Sequence, residues 1–317
     1  MTPIHTHFQS KGLQCAGTLY LPPTSHEPRC PPVIVMAHGF ACVRALTLPD
    51  YARRFVEAGY AVYLFDYRNF GDSEGLPRHW VDPARHLQDW GAAVRHVKTL
   101  PEVDARRIVL WGTSLSGGHV ICTAARGDAD IAAVIAQHPH VDGLAALASV
   151  RLSVLARAMV AGMRDVAGRL VGRPHYIPVI ARAGELAALS SDEAARGLQR
   201  LMAVNDVAWE NKVLARVVFK MGGYSPLRQA SRVRVPALVI AGTRDGITPW
   251  KSAREAARRM PHAEFRRFDC DHFDPYLGEY FEANVRAHVD FLHRHVPVQP
   301  RLRRAALHAC KPAPTHP

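Results

Sequence analysis

The chain has 317 residues, 48% of them apolar, enough for one large domain, or a domain with an insertion, whose core needs neither metal nor disulfide. Six scattered cysteines with no CxxC pair and no zinc spacing set aside an oxidised framework or structural zinc site and point to a reducing compartment. The formal charge of +12 comes from arginines spread through the chain without the aromatic interleaving of a nucleic-acid platform, so no nucleic-acid partner is expected.

The N-terminal stretch MTPIHTHFQSKG lacks the basic patch and apolar core of a leader, and no apolar run of about 18 residues follows. A soluble cytoplasmic protein with no membrane partner is expected. An edge strand is predicted near residues 14–21, and PVIVMA at 32–37 reads as a buried strand because it is short, β-branched and nearly free of polar groups. Pro49 and Asp50 start a helix with Tyr51, Phe55 and Val56 on one face, and AVYLF at 61–65 resumes strand character before the turn-rich DYRNFGDSEG. Asp82 caps a helix opening at Pro83, with Leu87, Trp90, Val94 and Val97 on one side. Strands at 107–111 and 131–136 follow, separated by a helix rich in small residues.

The alternation of strand and helix then stops. Residues 141–225 are helical in composition and too long for an ordinary connection, so they are expected to form a cap inserted between core parts at 1–140 and 226–297. Met159, Met163, Met202 and Met221 either line an adaptable apolar pocket or fill a helix–helix core. Strands at 235–241 and 264–268 enclose a helix at 251–259, and Phe281, Val285, Val289 and Leu292 mark the closing helix. Residues 298–317 read as a loose basic tail carrying Arg301, Arg303 and Arg304. Strands joined by helical crossovers define an α/β class with a parallel sheet.

The chemistry is concentrated where predicted strands end. WGTSLSGG at 111–118 lies between a strand and a helix and matches the nucleophile elbow G-x-S-x-G, except that Ser116 replaces the second glycine. The turn lifts Ser114 to the sheet edge, and the helix opening at Leu115 offers unpaired N–H groups to developing negative charge; Ser116, inside the first helical turn, is the rival nucleophile. In MAHGF at 36–40 the glycine lets the backbone bend so that the Phe40 and Leu115 N–H groups can form an oxyanion hole. Asp245 in AGTRDGITP and His272 in FDCDHFDPY complete a Ser, acid, His order. Asp271 and Asp274 are rival acids too close to His272 in sequence to reach its far nitrogen, and His38 and His119 are rival bases. His38, Arg68, Trp80, Trp209 and Tyr224 are candidate pocket residues, with packing the alternative for the tryptophans.

These motifs resemble the α/β-hydrolase superfamily over about residues 12–295. The resemblance implies a mostly parallel eight-stranded sheet flanked by helices with an inserted helical cap, Ser114 as nucleophile, Asp245 as acid, His272 as base and Phe40 with Leu115 as oxyanion donors. The elbow and the HFDPY ending are also similar to those of bacterial dienelactone hydrolase-like and X-Pro dipeptidyl-peptidase-like proteins, although serine stands where a dienelactone hydrolase has cysteine. Hydrolysis of a carboxylic ester or related acyl bond through an acyl-enzyme is therefore expected, with no cofactor and no metal, on a hydrophobic or aromatic small-molecule substrate. Acyl transfer, peptide cleavage and carbon–carbon bond hydrolysis are alternatives on the same residues, as is a non-catalytic binding protein; family analogy also permits a homodimer.

Overall fold

A computed structural model describes residues 2–23, 30–148 and 150–298. Eight strands form the main sheet: β1 (Ile4–Ser10), β2 (Leu13–Tyr20), β3 (Pro32–Ala37), β4 (Ala61–Phe65), β5 (Asp104–Thr113), β6 (Ile131–Gln137), β7 (Ala237–Gly242) and β8 (Ala263–Phe268). Their spatial order is β1-β2-β4-β3-β5-β6-β7-β8, antiparallel as far as β4 and parallel from there on.

The predicted strand near residues 14–21 is not the edge. β1 pairs outside it, from Ile4 opposite Leu19 to Ser10 opposite Leu13, across a two-residue turn in which Lys11 and Gly12 both have positive φ. The sequence IHTHFQS concealed this strand because one side of an edge strand faces water and needs little apolar alternation; of its bulky apolar residues only Phe8 is buried.

Side chains alternate across the central strands. Val33, Val35, Ile108 and Leu110 enter one core, and Ile34, Met36, Val109 and Trp111 enter the other. The first face is covered by α2 (Pro83–Val97), α3 (Leu115–Ala124) and α8 (Trp250–Arg259), the second by α1 (Leu48–Glu57) and α9 (Gly278–His295). α2 starts as the sequence predicts: Asp82 accepts from the Ala84 and Arg85 N–H groups, and Pro83 occupies the first helical position.

Between β6 and β7 the chain forms the cap, with α4 (Gly143–Ala148), α5 (Leu152–Gly168), α6 (Asp192–Val204) and the short α7 (Val218–Met221). It also contains pairings of only two residues each, Tyr176–Ile177 with Val213–Leu214 and Ile180–Ala181 with Leu189–Ser190, too short to leave an alternation in the sequence. A buried ion pair pins α5: Asp165 accepts from the Arg216 backbone N–H and from its guanidinium at 2.7 and 2.8 Å. The four methionines do not share one environment. Met221 lines a cavity and Met202 is half-buried, whereas Met159 and Met163 are exposed, so neither a common pocket nor a common core holds them. The predicted tail lies outside the described residues beyond Val298.

Because β3 and β5 to β8 run in the same direction, the loops leaving their carboxyl ends gather at one edge of the sheet. Those loops carry Phe40, Ser114, His138, Asp245 and His272.

Candidate active site

Ser114 sits between β5 and α3 with φ 55° and ψ −120°, a backbone conformation rarely taken by a residue with a Cβ. The sharp turn requires glycine at 112, where a Cβ would lie 2.2 Å from the Ser116 carbonyl oxygen. Position 116 tolerates serine because its side chain points into the core: the Ser116 Oγ lies 2.8 Å from the Tyr67 hydroxyl, which also accepts from the Trp90 indole at 2.9 Å. Ser116 is fully buried and engaged there, away from the turn's tip. The backbone of Gly39 lies so close to Ser114 that a Cβ on it would be 3.2 Å from the serine Cβ. Phe40 and Leu115 both border the cavity above Ser114. Leu115 opens α3, where first-turn N–H groups have no helical acceptor.

The structure brings the three residues of the predicted relay together across 158 positions of sequence. Ser114 Oγ lies 3.1 Å from His272 Nε2, and His272 Nδ1 lies 2.7 Å from Asp245 Oδ2. Asp245 is held from all sides. Its Oδ1 accepts from the Ile247 and Thr248 N–H groups at 2.9 and 2.7 Å, while Oδ2 faces His272, the Thr248 hydroxyl at 2.7 Å and His138 Nδ1 at 2.9 Å. A carboxylate only accepts, so both imidazoles present Nδ1–H to it, and the His272 lone pair is left facing the serine hydroxyl. Burial by itself raises the Asp245 pKa, but the two histidines and their hydrogen bonds outweigh it and hold the carboxyl below its ordinary range. Burial disfavours the His272 cation, yet the charge and hydrogen bond of Asp245 raise its pKa above 6.5. At His138 burial wins, and its pKa is lowered.

His138 escaped the sequence reading. Its one available signal was a histidine two residues after the predicted strand at 131–136, the same strand-end logic that selected Asp245. Among the described residues, His138, Asp245 and His272 also form the one group that could hold a metal ion, with donor atoms within 4.8 Å of one another. Their arrangement is that of several donors on one oxygen, since each Nδ1 already meets Asp245 Oδ2 at hydrogen-bond distance.

The rivals fall elsewhere. Asp271 and Asp274 hold the His272 loop, accepting from one another's backbone N–H groups and from Arg200. His119, inside α3, meets the Tyr224 hydroxyl at 2.6 Å and His86 at 3.3 Å.

A cavity of about 350 Å³ opens above Ser114, walled largely by apolar residues of the cap, among them Val154, Ala158, Val218 and Met221. The five candidate pocket residues lie outside its lining. His38 is buried beneath the loop, with Nδ1 on the Gly39 carbonyl and Nε2 3.6 Å from Asp66. Arg68 is drawn inward by the fully buried Asp89, whose charge needs a partner, and also bonds Gln88 and the Arg85 carbonyl. Trp80 holds the guanidinium groups of Arg85 and Arg216 over its ring, at 4.3 and 5.3 Å from the centroid. Trp209 reaches from the cap to donate its indole N–H to the Ala41 carbonyl at 2.9 Å, tying the cap to the loop that carries Phe40. Tyr224 faces a separate cleft beside α3, with Leu87 and Arg126. Apart from Met221, the sequence reading missed the cap residues that do line the cavity, and it missed His140, whose backbone N–H bonds the Ser114 carbonyl and whose pKa burial lowers to about 4.

An eight-stranded mostly parallel sheet, helices on both faces, an inserted cap and a serine at a strained strand-to-helix turn define an α/β-hydrolase. The family described as "Serine aminopeptidase, S33" matches residues 29–273, and the chain belongs to it. It is 38% identical over 298 residues to the quorum-quenching protein AidA of Acinetobacter baumannii, covering 94% of this chain and 96% of that protein. It is also 28% identical to the thiohydrolase aneE of Aspergillus aculeatus, covering 89% of each. The crystal structure of the α/β hydrolase GrgF from Penicillium sp. superposes with a TM-score of 0.80 at 25% identity, covering 93% of this chain and 99% of that one. These matches place the chain in a hydrolase class of enzyme; they single out neither the dienelactone-hydrolase-like nor the X-Pro dipeptidyl-peptidase-like subgroup.

Proposed function

We propose that the chain is a serine hydrolase that cleaves a carboxylic ester or a closely related acyl bond through an acyl-enzyme. The observation that carries this reading is the continuous relay from Ser114 Oγ through His272 to Asp245, at 3.1 and 2.7 Å. His272 takes the serine proton as Oγ attacks the carbonyl carbon, and the N–H groups of Phe40 and Leu115 receive the oxyanion. The imidazolium then protonates the leaving group, and water activated by the neutral histidine releases the acid. Asp245 keeps the imidazole in the tautomer that offers Nε2 to serine and offsets the positive charge formed during attack.

The cavity's size and apolar walls support a compact hydrophobic acyl group; Arg151 and Asp192 are its charged neighbours. Thioesters are a second substrate class to set beside oxygen esters, because relatives carry the name thiohydrolase. Acyl transfer would use the same acyl-enzyme with a different acceptor.

Incubation with a fluorophosphonate probe tests the reading. Wild-type protein should label and Ser114→Ala should not, while a p-nitrophenyl ester panel, followed by thioesters and lactones, ranks the substrates. Equal labelling of both proteins would remove Ser114 as nucleophile. Wild-type protein that neither labels nor turns over any of these substrates would favour a binding protein on the retained fold.

A further inference from the structure

The cap helix α5 is apolar on two opposite sides. Val154, Ala158 and Ala161 are buried, and Val154 and Ala158 line the cavity. On the other side Leu152, Met159, Met163 and Val166 succeed one another at spacings of seven, four and three residues, which puts them on one helical face, and the 3₁₀ turn Arg169–Val171 that follows α5 leaves Leu170 exposed. Val160 widens that face, and Val171 is exposed beside Leu170 in the turn. Leu152, Val160 and Leu170 are 78%, 62% and 88% exposed, far more than stray surface leucines and valines account for when they form a continuous stripe.

The borders of the stripe are basic. Arg157 and Arg164 run along one flank and Arg151 and Arg169 along the other, with Arg173 beyond the end; all five are exposed, and among the described residues none pairs with a carboxylate. The only acid in residues 151–173 is Asp165, which is buried and paired with Arg216.

We propose that this face of α5 lies on an anionic lipid surface, its aliphatic side chains in the acyl boundary and its arginines among the headgroups. Charge chooses this occupant. A second copy meeting the same face would set arginine against arginine, and the chain's own C-terminal stretch is itself basic. An aliphatic helix face with basic flanks is what an interfacial helix requires. No span is needed for a helix that lies in the plane, so this contact escapes an expectation based on apolar run length. The same helix roofs the cavity on its inner side, so docking would place a lipophilic substrate next to the site.

Flotation with vesicles tests the proposal, using equal parts phosphatidylcholine and phosphatidylglycerol against phosphatidylcholine alone. The wild-type chain should float with the anionic vesicles at low salt and leave them in high salt. Val160→Glu with Met163→Glu should cut partitioning roughly tenfold or more while leaving turnover of a short soluble ester unchanged. Exchanging Arg157 and Arg164 for glutamine should cost about fivefold per arginine. Ser114→Ala should float like wild type, which keeps this result independent of the catalytic reading. Failure of the wild type to bind anionic vesicles, or equal binding by the double glutamate variant, would overturn the proposal. So would a wild-type dimer that the two glutamates convert to monomer, since a second copy would then cover the face.

Discussion

The carboxyl edge of the sheet and the cap helix above it are built by opposite rules. At the edge, five donors converge on the single carboxylate of Asp245, two of them histidines from other strand ends. In the cap, one ion pair between Asp165 and Arg216 anchors a helix whose two faces are otherwise aliphatic. A polar constellation is directional and has one good arrangement, whereas aliphatic contact is not directional. On the proposed reading, the edge defines the reaction and the cap selects and receives the substrate.

The comparison is broken most severely by Asp245→Asn, which keeps the shape of the site but removes the charge that orients His272. We expect kcat to fall about ten-thousandfold, with circular dichroism unchanged. A loss below tenfold would mean that another acid serves the histidine. On the cap side, Asp165→Ala leaves the Arg216 guanidinium buried without its partner and should cost about 3 kcal/mol in urea denaturation. A variant as stable as wild type would show that the cap is held by its apolar contacts alone.

A gentler change sharpens the division of labour. Ala158→Phe fills part of the cavity from α5, and kcat/KM should drop roughly tenfold for the longest p-nitrophenyl esters while acetate is spared. An equal loss for all chain lengths would place the damage at the relay instead. The smallest effect concerns pH. As the proposed base, His272 must be neutral to accept the serine proton, and Asp245 raises its pKa above 6.5. The acid limb of the kcat/KM profile should accordingly fall above that of an ordinary imidazole, with activity lost as pH drops through it. A limb below 6.5 would show that burial outweighs the carboxylate.

Much of this organisation was legible in the sequence where a local pattern has a local cause. PVIVMA, AVYLF and IAAVIA are apolar because they lie in strands covered on both faces, and Asp82-Pro83 carries a local helix-start signal, a capping carboxylate followed by a proline at the first helical position. The elbow was readable despite Ser116, since Gly112 carries the close approach. Beyond that reach the reading failed for identifiable reasons. β1 hid because an edge strand can be polar, and Arg68 looked available because nothing in DYRNFGDSEG reveals a buried Asp89 on a later helix.

By itself, then, the amino-acid order determined the strand and helix alternation, the presence of an inserted helical cap and the succession of serine, acid and histidine, because each is carried by short stretches of the chain. The tertiary structure alone decided that His138 would share Asp245 with His272, which residues would wall the cavity, and which side of α5 would face outward. Those outcomes depend on how distant strand ends meet and on which face an apolar helix buries, and a helix apolar on both sides carries no periodicity to choose between them.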